Sequence, residues 1–274
     1  PDADRVGIAV KNDKGVVVLL NGNQTAAVLL DYIFRKWHEN GKLSGKESMV
    51  KTIVTSELLF DIADKYHIDR YDVLPGFKWI ADIIRKNEGI KTFIAGGEES
   101  YGYMIGDFVR DKDAVSSCAL IAEAAAWAAA QGKTIYNVLQ DIYLEFGFYL
   151  EGLLAVVKKG MSGADEIKKI MERFRNDPPE LINGSKIILI NDYEQSFSRD
   201  LVRGEEKEID LPKSNVLQFF LEDGSKISMR PSGTEPKIKF YIGVRDKLDK
   251  IENYDSINAA LNAKIQAILD DLKL

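Results

Sequence analysis

The sequence has 274 residues, 45% hydrophobic and 29% charged, which suits about two folded domains and is not typical of a disordered chain. The formal net charge of -6 argues against a general nucleic-acid-binding protein, which needs a dense basic surface, and no apolar stretch has the ~20 residues of a membrane-spanning helix. The single cysteine, Cys118, excludes an intramolecular disulfide and predicts a reducing, cytoplasmic location.

Strand and helix patterns alternate in the first half of the chain. Two β-rich runs within residues 6–20, joined by a turn-rich segment, predict a hairpin, and helical periodicity predicts a helix at 24–37. The strands predicted next are 49–55, 71–74 and 91–95, and the helices are 56–66, 78–87 and 114–131. This alternation predicts an α/β domain of three layers, in which helices cover both faces of a mixed sheet.

The second half has a different pattern. A polar, glycine-containing stretch at 158–163 is typical of a linker. Beyond it the predicted strands are 186–190, 216–221, 226–230 and 238–244, and the predicted helices are 165–174 and 254–272. Strands grouped together and flanked by helices predict a smaller α+β C-terminal domain.

The first candidate site is at the start of the chain, where Asp2 and Asp4 precede a predicted strand. Carboxylates one residue apart can converge on a hard divalent cation, which prefers oxygen ligands. The segment is not an EF-hand, because Val6 occupies a position where that loop needs an oxygen ligand. A plain acidic turn at the terminus explains the same residues.

The second candidate site is the loop 96–102, which follows the predicted strand 91–95 and contains Glu98 and Ser100. Ligands of open α/β sheets bind at the carboxyl ends of strands, and these side chains suit a ligand with several hydroxyl groups. A solvated acidic loop explains the pattern equally well. Lys78 follows another predicted strand end, and Arg110 and Lys112 precede a helix; each alone is more often a solvated charge.

The third candidate site is the turn between two predicted strands that begins at Arg230 and contains Ser232, Gly233 and Thr234, with Lys239 one strand step further on. An arginine, two hydroxyls and a glycine can offer convergent donors to a phosphate. The alternative is an ordinary hairpin turn. The phosphate interpretation is favoured because arginine, serine and threonine together exceed what a turn needs.

The spacing of the residues argues against a P-loop, a zinc site and a catalytic triad. Residues 41–47 resemble a P-loop, but three residues instead of four separate the glycines, and Glu47 replaces the hydroxyl residue. One cysteine and two isolated histidines provide no zinc spacing and no catalytic triad.

Four motifs in this order resemble the α-D-phosphohexomutase family, the phosphoglucomutases and phosphomannomutases. Residues 1–5 (PDADR) are similar to its metal loop without the first aspartate, and 76–79 (GFKW) to its G-[WF]-K loop. Residues 97–102 (GEESYG) resemble its sugar-binding loop, and 230–234 (RPSGT) its phosphate-binding loop. The resemblance implies the end of a metal-binding domain at 1–21, a sugar-binding domain at 22–160 and a phosphate-binding domain at 161–274.

The resemblance also implies roles for individual residues. Asp2 and Asp4 would bind Mg²⁺, Arg5 would contact the reacting phosphate or the sugar, and Lys78 would contact substrate. Further substrate contacts would come from Glu98, Ser100, Arg110 and Lys112, and phosphate contacts from Arg230, Ser232, Gly233, Thr234 and Lys239. The implied reaction moves a phosphoryl group between the 1- and 6-hydroxyls of a hexose, through an enzyme phosphoserine and a hexose 1,6-bisphosphate intermediate.

The family's phosphoserine loop has no counterpart here, because no serine in the sequence is followed by histidine. The chain begins with proline, so we expect it to be processed or part of a longer protein whose N-terminal domains are its partners, and we expect it to be inactive alone. A non-catalytic sugar-phosphate-binding or regulatory module is the alternative, and a plain α/β interaction protein is a third interpretation. Glucose phosphate is the first expected substrate, then mannose and pentose phosphates, with no nucleic-acid or membrane partner.

Overall fold

The computed structural model describes residues 3–158 and 162–273. Within them the chain forms two compact units: the first holds residues up to 147 together with 249–251, and the second holds 148–248 and 252 onward. The units divide between Gly147 and Phe148, earlier than the predicted boundary near residue 160. The reason is that residues 148–157 form a long strand of the second unit's sheet.

The first unit begins with a two-stranded antiparallel hairpin, as predicted, made of β1 (Ile8–Lys11) and β2 (Val17–Leu20). The Asp13 carboxylate in its turn accepts hydrogen bonds from the side chains of Asn137 (2.7 Å) and Gln140 (2.8 Å). These contacts attach the hairpin to a helix of the same unit.

A mixed four-stranded sheet forms the centre of this unit. Its strands are β3 (Glu47–Thr52), β4 (Asp69–Val73), β5 (Thr92–Glu98) and β6 (Gly102–Ile105). Their order is β4-β3-β5-β6; β3 is parallel to both of its neighbours, and β6 is antiparallel to β5. The short strand β6 was not predicted from the sequence.

Helices cover both faces of this sheet. They are α1 (Gly22–Glu39), α2 (Leu58–Lys65), α3 (Phe77–Lys86), α4 (Ala114–Ala130) and α5 (Ile135–Phe146). Val50 of β3 belongs to the core cluster around Phe77 and Ile80 of α3, whereas the next residue, Lys51, lies 4.0 Å from the ring centre of Phe60 in α2. Successive strand residues point to opposite faces, so α3 and α2 lie on opposite sides and the three-layer prediction is confirmed.

The second unit is an antiparallel sheet with helices against one face. Its strands are β7 (Phe148–Val157), β8 (Leu181–Ile182), β9 (Ser185–Asp192), β10 (Phe197–Asp200), β11 (Glu205–Glu208), β12 (Leu217–Leu221), β13 (Lys226–Pro231) and β14 (Lys237–Asp246). Its order is β11-β10-β9-β12-β13-β14-β7, and β8 pairs with β9. The helices are α6 (Gly163–Asn176) and α7 (Tyr254–Asp271), the latter preceded by the 3₁₀ turn Ile251–Asn253.

The core of the second unit lies between the sheet and these helices. The ring of Phe174 in α6 packs edge-on against Phe219 and Phe240, with ring centres 6.2 and 6.4 Å apart. A side chain at Gly152 of β7 would lie 2.7 Å from Ile265 of α7, so glycine allows that helix to approach the sheet. The α+β prediction is confirmed.

No single helix among the described residues has both the length and the apolar composition needed to cross a membrane; α4 and α5 would meet those two criteria only as a pair bent by 83°.

Candidate functional site

Two of the predicted loops meet at the carboxyl edge of the parallel strands in the first unit. Glu98 is the last residue of β5, and Gly76 ends the turn that follows β4. The backbone N–H of Gly76 donates a hydrogen bond of 2.7 Å to Oε1 of Glu98. Gly76 has a φ of +124°, which glycine adopts far more readily than other residues. The segment 96–102 (the sugar-type loop) and the turn that precedes Lys78 are therefore joined directly.

Glu98 is a buried carboxyl group, with only 8% of its surface exposed. Burial raises its pKa above the ordinary value of 4.5, and the negative charge of Glu99 raises it further. The Gly76 hydrogen bond and the positive charges of Lys112 and Arg5 act in the opposite direction. A carboxylate accepts several hydrogen bonds, so Glu98 keeps acceptor capacity for a ligand hydroxyl.

Ser100 and Lys78 lie on the segments that flank Glu98. Ser100 is half-buried in the turn between β5 and β6. Lys78 is exposed in the first turn of α3, and its Nζ lies 4.7 Å from the ring centre of Trp79. Both residues thus lie at the same edge of the sheet, Ser100 in a turn and Lys78 at the start of a helix.

The N-terminal segment also reaches this edge. The carbonyl of Ala3 accepts a hydrogen bond from the N–H of Ala114 (2.9 Å), and the N–H of Val6 donates to the carbonyl of Tyr101 (3.2 Å). These two contacts place Asp4 and Arg5 beside the sugar-type loop.

Asp4, Arg5 and Lys112 form one ion-pair cluster. Lys112 Nζ lies 2.9 Å from Oδ1 of Asp4, and a guanidinium nitrogen of Arg5 lies 3.4 Å from Oδ2. The stem of Lys112 passes over Gly102, where an added Cβ would lie 2.5 Å from Lys112 Cδ. Lys112 also pairs with Asp111 at 2.8 Å. The structure therefore brings three predicted residues together.

The Asp4 carboxylate fits the proposed metal site chemically. Both of its oxygens face positive charges on long, flexible side chains, which a divalent cation can replace. Asp2, the other proposed ligand, lies outside the described residues. Among residues 3–158 and 162–273, no three histidine, cysteine, aspartate or glutamate side chains are grouped as a metal site would require.

Arg110 is not brought into this group. Its guanidinium pairs with Glu88 at 2.6 Å and donates to the carbonyl of Asp107. Glu88 lies just past the carboxyl end of α3, whereas Lys78 lies at the amino end. A helix of this length spans about 15 Å, so Arg110 is directed to the opposite end of the helix.

The predicted phosphate loop is the turn between β13 and β14 in the second unit. The Ser232 N–H donates to the carbonyl of Lys237 at 2.7 Å, which closes the turn. Ser232 Oγ accepts from the N–H groups of Thr234 (3.4 Å) and Glu235 (3.3 Å). Gly233 and Thr234 are exposed at the tip, so the backbone of this turn is accessible to an anion.

Arg230 and Lys239 are directly opposite each other on β13 and β14, so both side chains project from the same face of the sheet. Like charges opposite each other in a sheet are destabilising unless something offsets them. A phosphate bound between Arg230 and Lys239 would offset their repulsion. The turn also borders a cleft of about 590 Å³ whose other wall is α6.

Sequence reasoning missed the residues behind the sugar-type loop. Oε2 of Glu99 accepts hydrogen bonds from Thr55 (3.2 Å) and Thr52 (3.4 Å), both in or just after β3. The sequence signal for these residues was a pair of threonines at the end of a predicted strand. That pattern is equally typical of an ordinary strand and turn.

Comparison with known proteins finds that the chain is similar to members of one family. The model of the phosphoglucomutase/phosphomannomutase alpha/beta/alpha domain III matches residues 21–146. The phosphoglucomutases of Staphylococcus aureus strains MRSA252 and MSSA476 are each 38% identical over 265 residues, covering 97% of this chain and 46% of theirs. The chain therefore spans about half the length of these relatives.

Solved structures show the same fold. The phosphoglucomutase pp63/parafusin of Paramecium aligns with a TM-score of 0.65 and 18% identity, covering 99% of this chain and 44% of that one. A phosphoglucomutase/phosphomannomutase family protein of Burkholderia thailandensis aligns with a TM-score of 0.55 and 13% identity, over 96% of this chain and 45% of that one.

Proposed function

Because the chain belongs to the phosphoglucomutase/phosphomannomutase family, the α-D-phosphohexomutases, we propose that it forms the sugar- and phosphate-binding part of a hexose phosphate mutase. The proposed reaction interconverts hexose 1-phosphate and hexose 6-phosphate through an enzyme phosphoserine and a hexose 1,6-bisphosphate. The observation that carries the proposal is the meeting of Asp4, Arg5, Glu98 and Lys112 at the edge where α/β sheets bind ligands.

In this proposal Glu98 and Ser100 bind sugar hydroxyls. The hydrogen bond from Gly76 holds the Glu98 carboxylate in place before substrate arrives, which lowers the entropy lost on binding. The 3- and 4-hydroxyls look similar from either end of a hexose, so the same pair could hold both orientations that a 1,6-transfer requires.

The turn at 232–234, with Arg230 and Lys239, would hold the phosphate that does not react. Arginine binds phosphate through two parallel hydrogen bonds, and the adjacent lysine adds charge. Their cross-strand arrangement supports this assignment, since each cation lowers the free energy of an anion placed between them.

Arg5 would contact the reacting phosphate or the sugar, and Lys78 would contact substrate and assist proton transfer. Lys112 adds positive potential beside Asp4 and Glu98. Arg110 is a weaker assignment, since its guanidinium is paired with Glu88.

Asp4, with Asp2, would supply carboxylate oxygens to Mg²⁺. When bound, such a cation offsets negative charge on the transferred phosphoryl group. Lys112 and Arg5, which now neutralise Asp4, would then be free to contact the phosphate or the sugar.

A second candidate is a non-catalytic sugar-phosphate-binding module, in which Glu98 and Arg230 bind the ligand without transferring its phosphate. Under either candidate, this chain alone should show no mutase turnover. Detectable turnover of glucose 1-phosphate by the purified chain would contradict that expectation. Glucose phosphates are the first proposed ligands, followed by mannose and then pentose phosphates.

Calorimetric titration of the chain with glucose 1-phosphate, mannose 1-phosphate and ribose 5-phosphate tests the binding function. We expect Glu98→Ala and Arg230→Ala each to weaken binding about tenfold or more, the usual effect of losing a charged hydrogen-bonding group. Glu39→Ala and Arg199→Ala, which remove exposed ion pairs elsewhere, are the matched controls. Wild-type affinity in both test variants would refute the assigned roles.

A further inference from the structure

The turn that carries Glu98 and Ser100 is held from behind by contacts that the proposed reaction does not itself require. Glu98 and Glu99 are adjacent, but their side chains have different partners. Glu98 accepts from the backbone of Gly76, whereas Glu99 accepts from Thr52 and Thr55. One carboxylate therefore faces the proposed substrate loops, and the other faces the end of β3.

The two threonines form a preorganised hydrogen-bond donor site for the Glu99 carboxylate. Both are fully buried, and their hydroxyl oxygens lie 2.9 Å apart. The N–H of Thr55 donates to the carbonyl of Thr52 at 2.9 Å, so the backbone between them is a closed turn. Because this turn follows directly from a central strand, the hydroxyl groups have little freedom to move.

The start of α1 fixes the same turn through its backbone. An added Cβ on Gly22 would lie 1.8 Å from the carbonyl oxygen of Glu99, so only glycine allows this approach. The next residue, Asn23, accepts a hydrogen bond of 3.0 Å from the N–H of Ser56, just after Thr55. Three segments distant in sequence therefore meet at Glu99.

From these contacts we infer that Glu99 is a positioning residue: by bonding Thr52 and Thr55, its carboxylate orients the turn so that Glu98 and Ser100 present their oxygens to a sugar. This inference deepens the proposed function and rests on it for the identity of the ligand. The alternative is that Glu99 acts through its charge or touches the ligand directly.

Three variants separate the two roles. Glu99→Gln keeps an oxygen that accepts from both threonines but loses the charge. Thr55→Val keeps the volume and removes one donor, and Glu99→Ala removes the acceptor. Thr92→Val, at the opposite end of β5, and Glu39→Ala, at the far end of α1, are the matched controls.

The first readout is amide hydrogen exchange of Gly76 in the ligand-free chain, since this N–H is protected by Glu98. We expect Glu99→Ala and Thr55→Val each to speed its exchange about tenfold, while Glu99→Gln and both controls remain within about twofold of wild type. In the double variant Glu99→Ala/Thr55→Val, the Gly76 amide should exchange no faster than in the more affected single variant. The reason is that both substitutions remove the same hydrogen bond between Thr55 and Glu99. Urea midpoints of each variant separate loosening of this turn from global unfolding.

The second readout is calorimetric affinity for glucose 6-phosphate, which should follow the same order. If Thr55→Val is silent in both readouts and Glu99→Gln is as disruptive as Glu99→Ala, Glu99 acts by charge or direct contact and the inference is wrong. If the exchange rates behave as expected but wild type binds no hexose phosphate, the positioning role stands and the proposed function fails.

Discussion

At the scale of single residues, Glu98 is a buried titratable carboxyl group. Its contribution to the free energy of unfolding should therefore depend on pH. Its folded pKa is raised above 4.5, so the folded chain holds this proton more tightly than the unfolded chain. Its contribution to stability is therefore fully present below pH 4.5 and is lost as pH rises through the folded pKa.

We predict that Glu98→Gln, which keeps an acceptor for Gly76, is more stable than wild type by about 1 kcal/mol at pH 7. At pH 4 the two should be equal. Urea unfolding of wild type and Glu98→Gln at pH 7 and at pH 4 measures this difference in stability. An equal difference at both pH values would mean that the buried charge is not the cause.

Glu47 shows the opposite behaviour at the same scale. Its carboxylate accepts from the N–H groups of Ser44, Gly45 and Lys46 and from the Ser44 hydroxyl. The P-loop-like turn thus wraps a carboxylate of the chain itself. Burial alone would raise the pKa of Glu47, but the hydrogen bonds, led by those from Ser44, leave it lowered.

Replacing Glu47 by alanine should lower the free energy of unfolding at pH 7 by about 2 kcal/mol, because the N–H groups of the turn lose a charged acceptor. A lowered folded pKa means that this stabilisation is present above the ordinary value of 4.5 and is lost as pH falls through the folded pKa. Chemical denaturation of wild type and variant at pH 7 and pH 3 checks this. A difference in unfolding free energy between wild type and variant that is as large at pH 3 as at pH 7 would contradict this prediction.

At the scale of elements, the contact between α1 and the sugar-type turn depends on one glycine. Gly22→Ala would place Cβ 1.8 Å from the Glu99 carbonyl oxygen, so the helix start or the turn must move. We predict a loss of about 3 kcal/mol, at the upper end for overpacked sites, together with weaker sugar-phosphate binding.

Gly7→Ala is the matched control for this contact, because its added Cβ would lie 3.8 Å from the Tyr101 ring, an ordinary contact. Thermal unfolding and calorimetry of the two variants give the comparison. Equal effects of the two substitutions would show that the close approach at Gly22 is unimportant.

At the scale of the whole molecule, each compact unit has its own core. Ile80 is fully buried in the first, and Phe219 in the second. All three tryptophans, Trp37, Trp79 and Trp127, lie in the first unit. Tryptophan fluorescence therefore reports the unfolding of one unit, whereas circular dichroism reports both.

We predict that Ile80→Ala lowers the fluorescence midpoint in urea, since truncating a buried aliphatic side chain costs about 2–5 kcal/mol. Phe219→Ala should leave that midpoint unchanged and shift only the circular dichroism signal. A fluorescence midpoint that moves equally in both variants would show that the chain unfolds as a single cooperative unit.

The amino-acid sequence by itself determined the strand and helix alternation of the first unit, the grouped strands of the second, and the turns next to Glu98, Lys78 and Arg230. Such features depend on periodicity and turn chemistry within a few residues, which a sequence states directly. Strand β7 was missed because its partner β14 lies 80 to 98 positions further along the chain.

Only the tertiary structure decided which charges meet. The contacts of Glu98 with Gly76 and of Glu99 with Thr55 join residues 22 and 44 positions apart. Lys112 and Arg110 are near neighbours in sequence, yet one pairs with Asp4 and the other with Glu88. A long, flexible side chain finds its partner from the three-dimensional surroundings of its tip, and local sequence does not specify those surroundings.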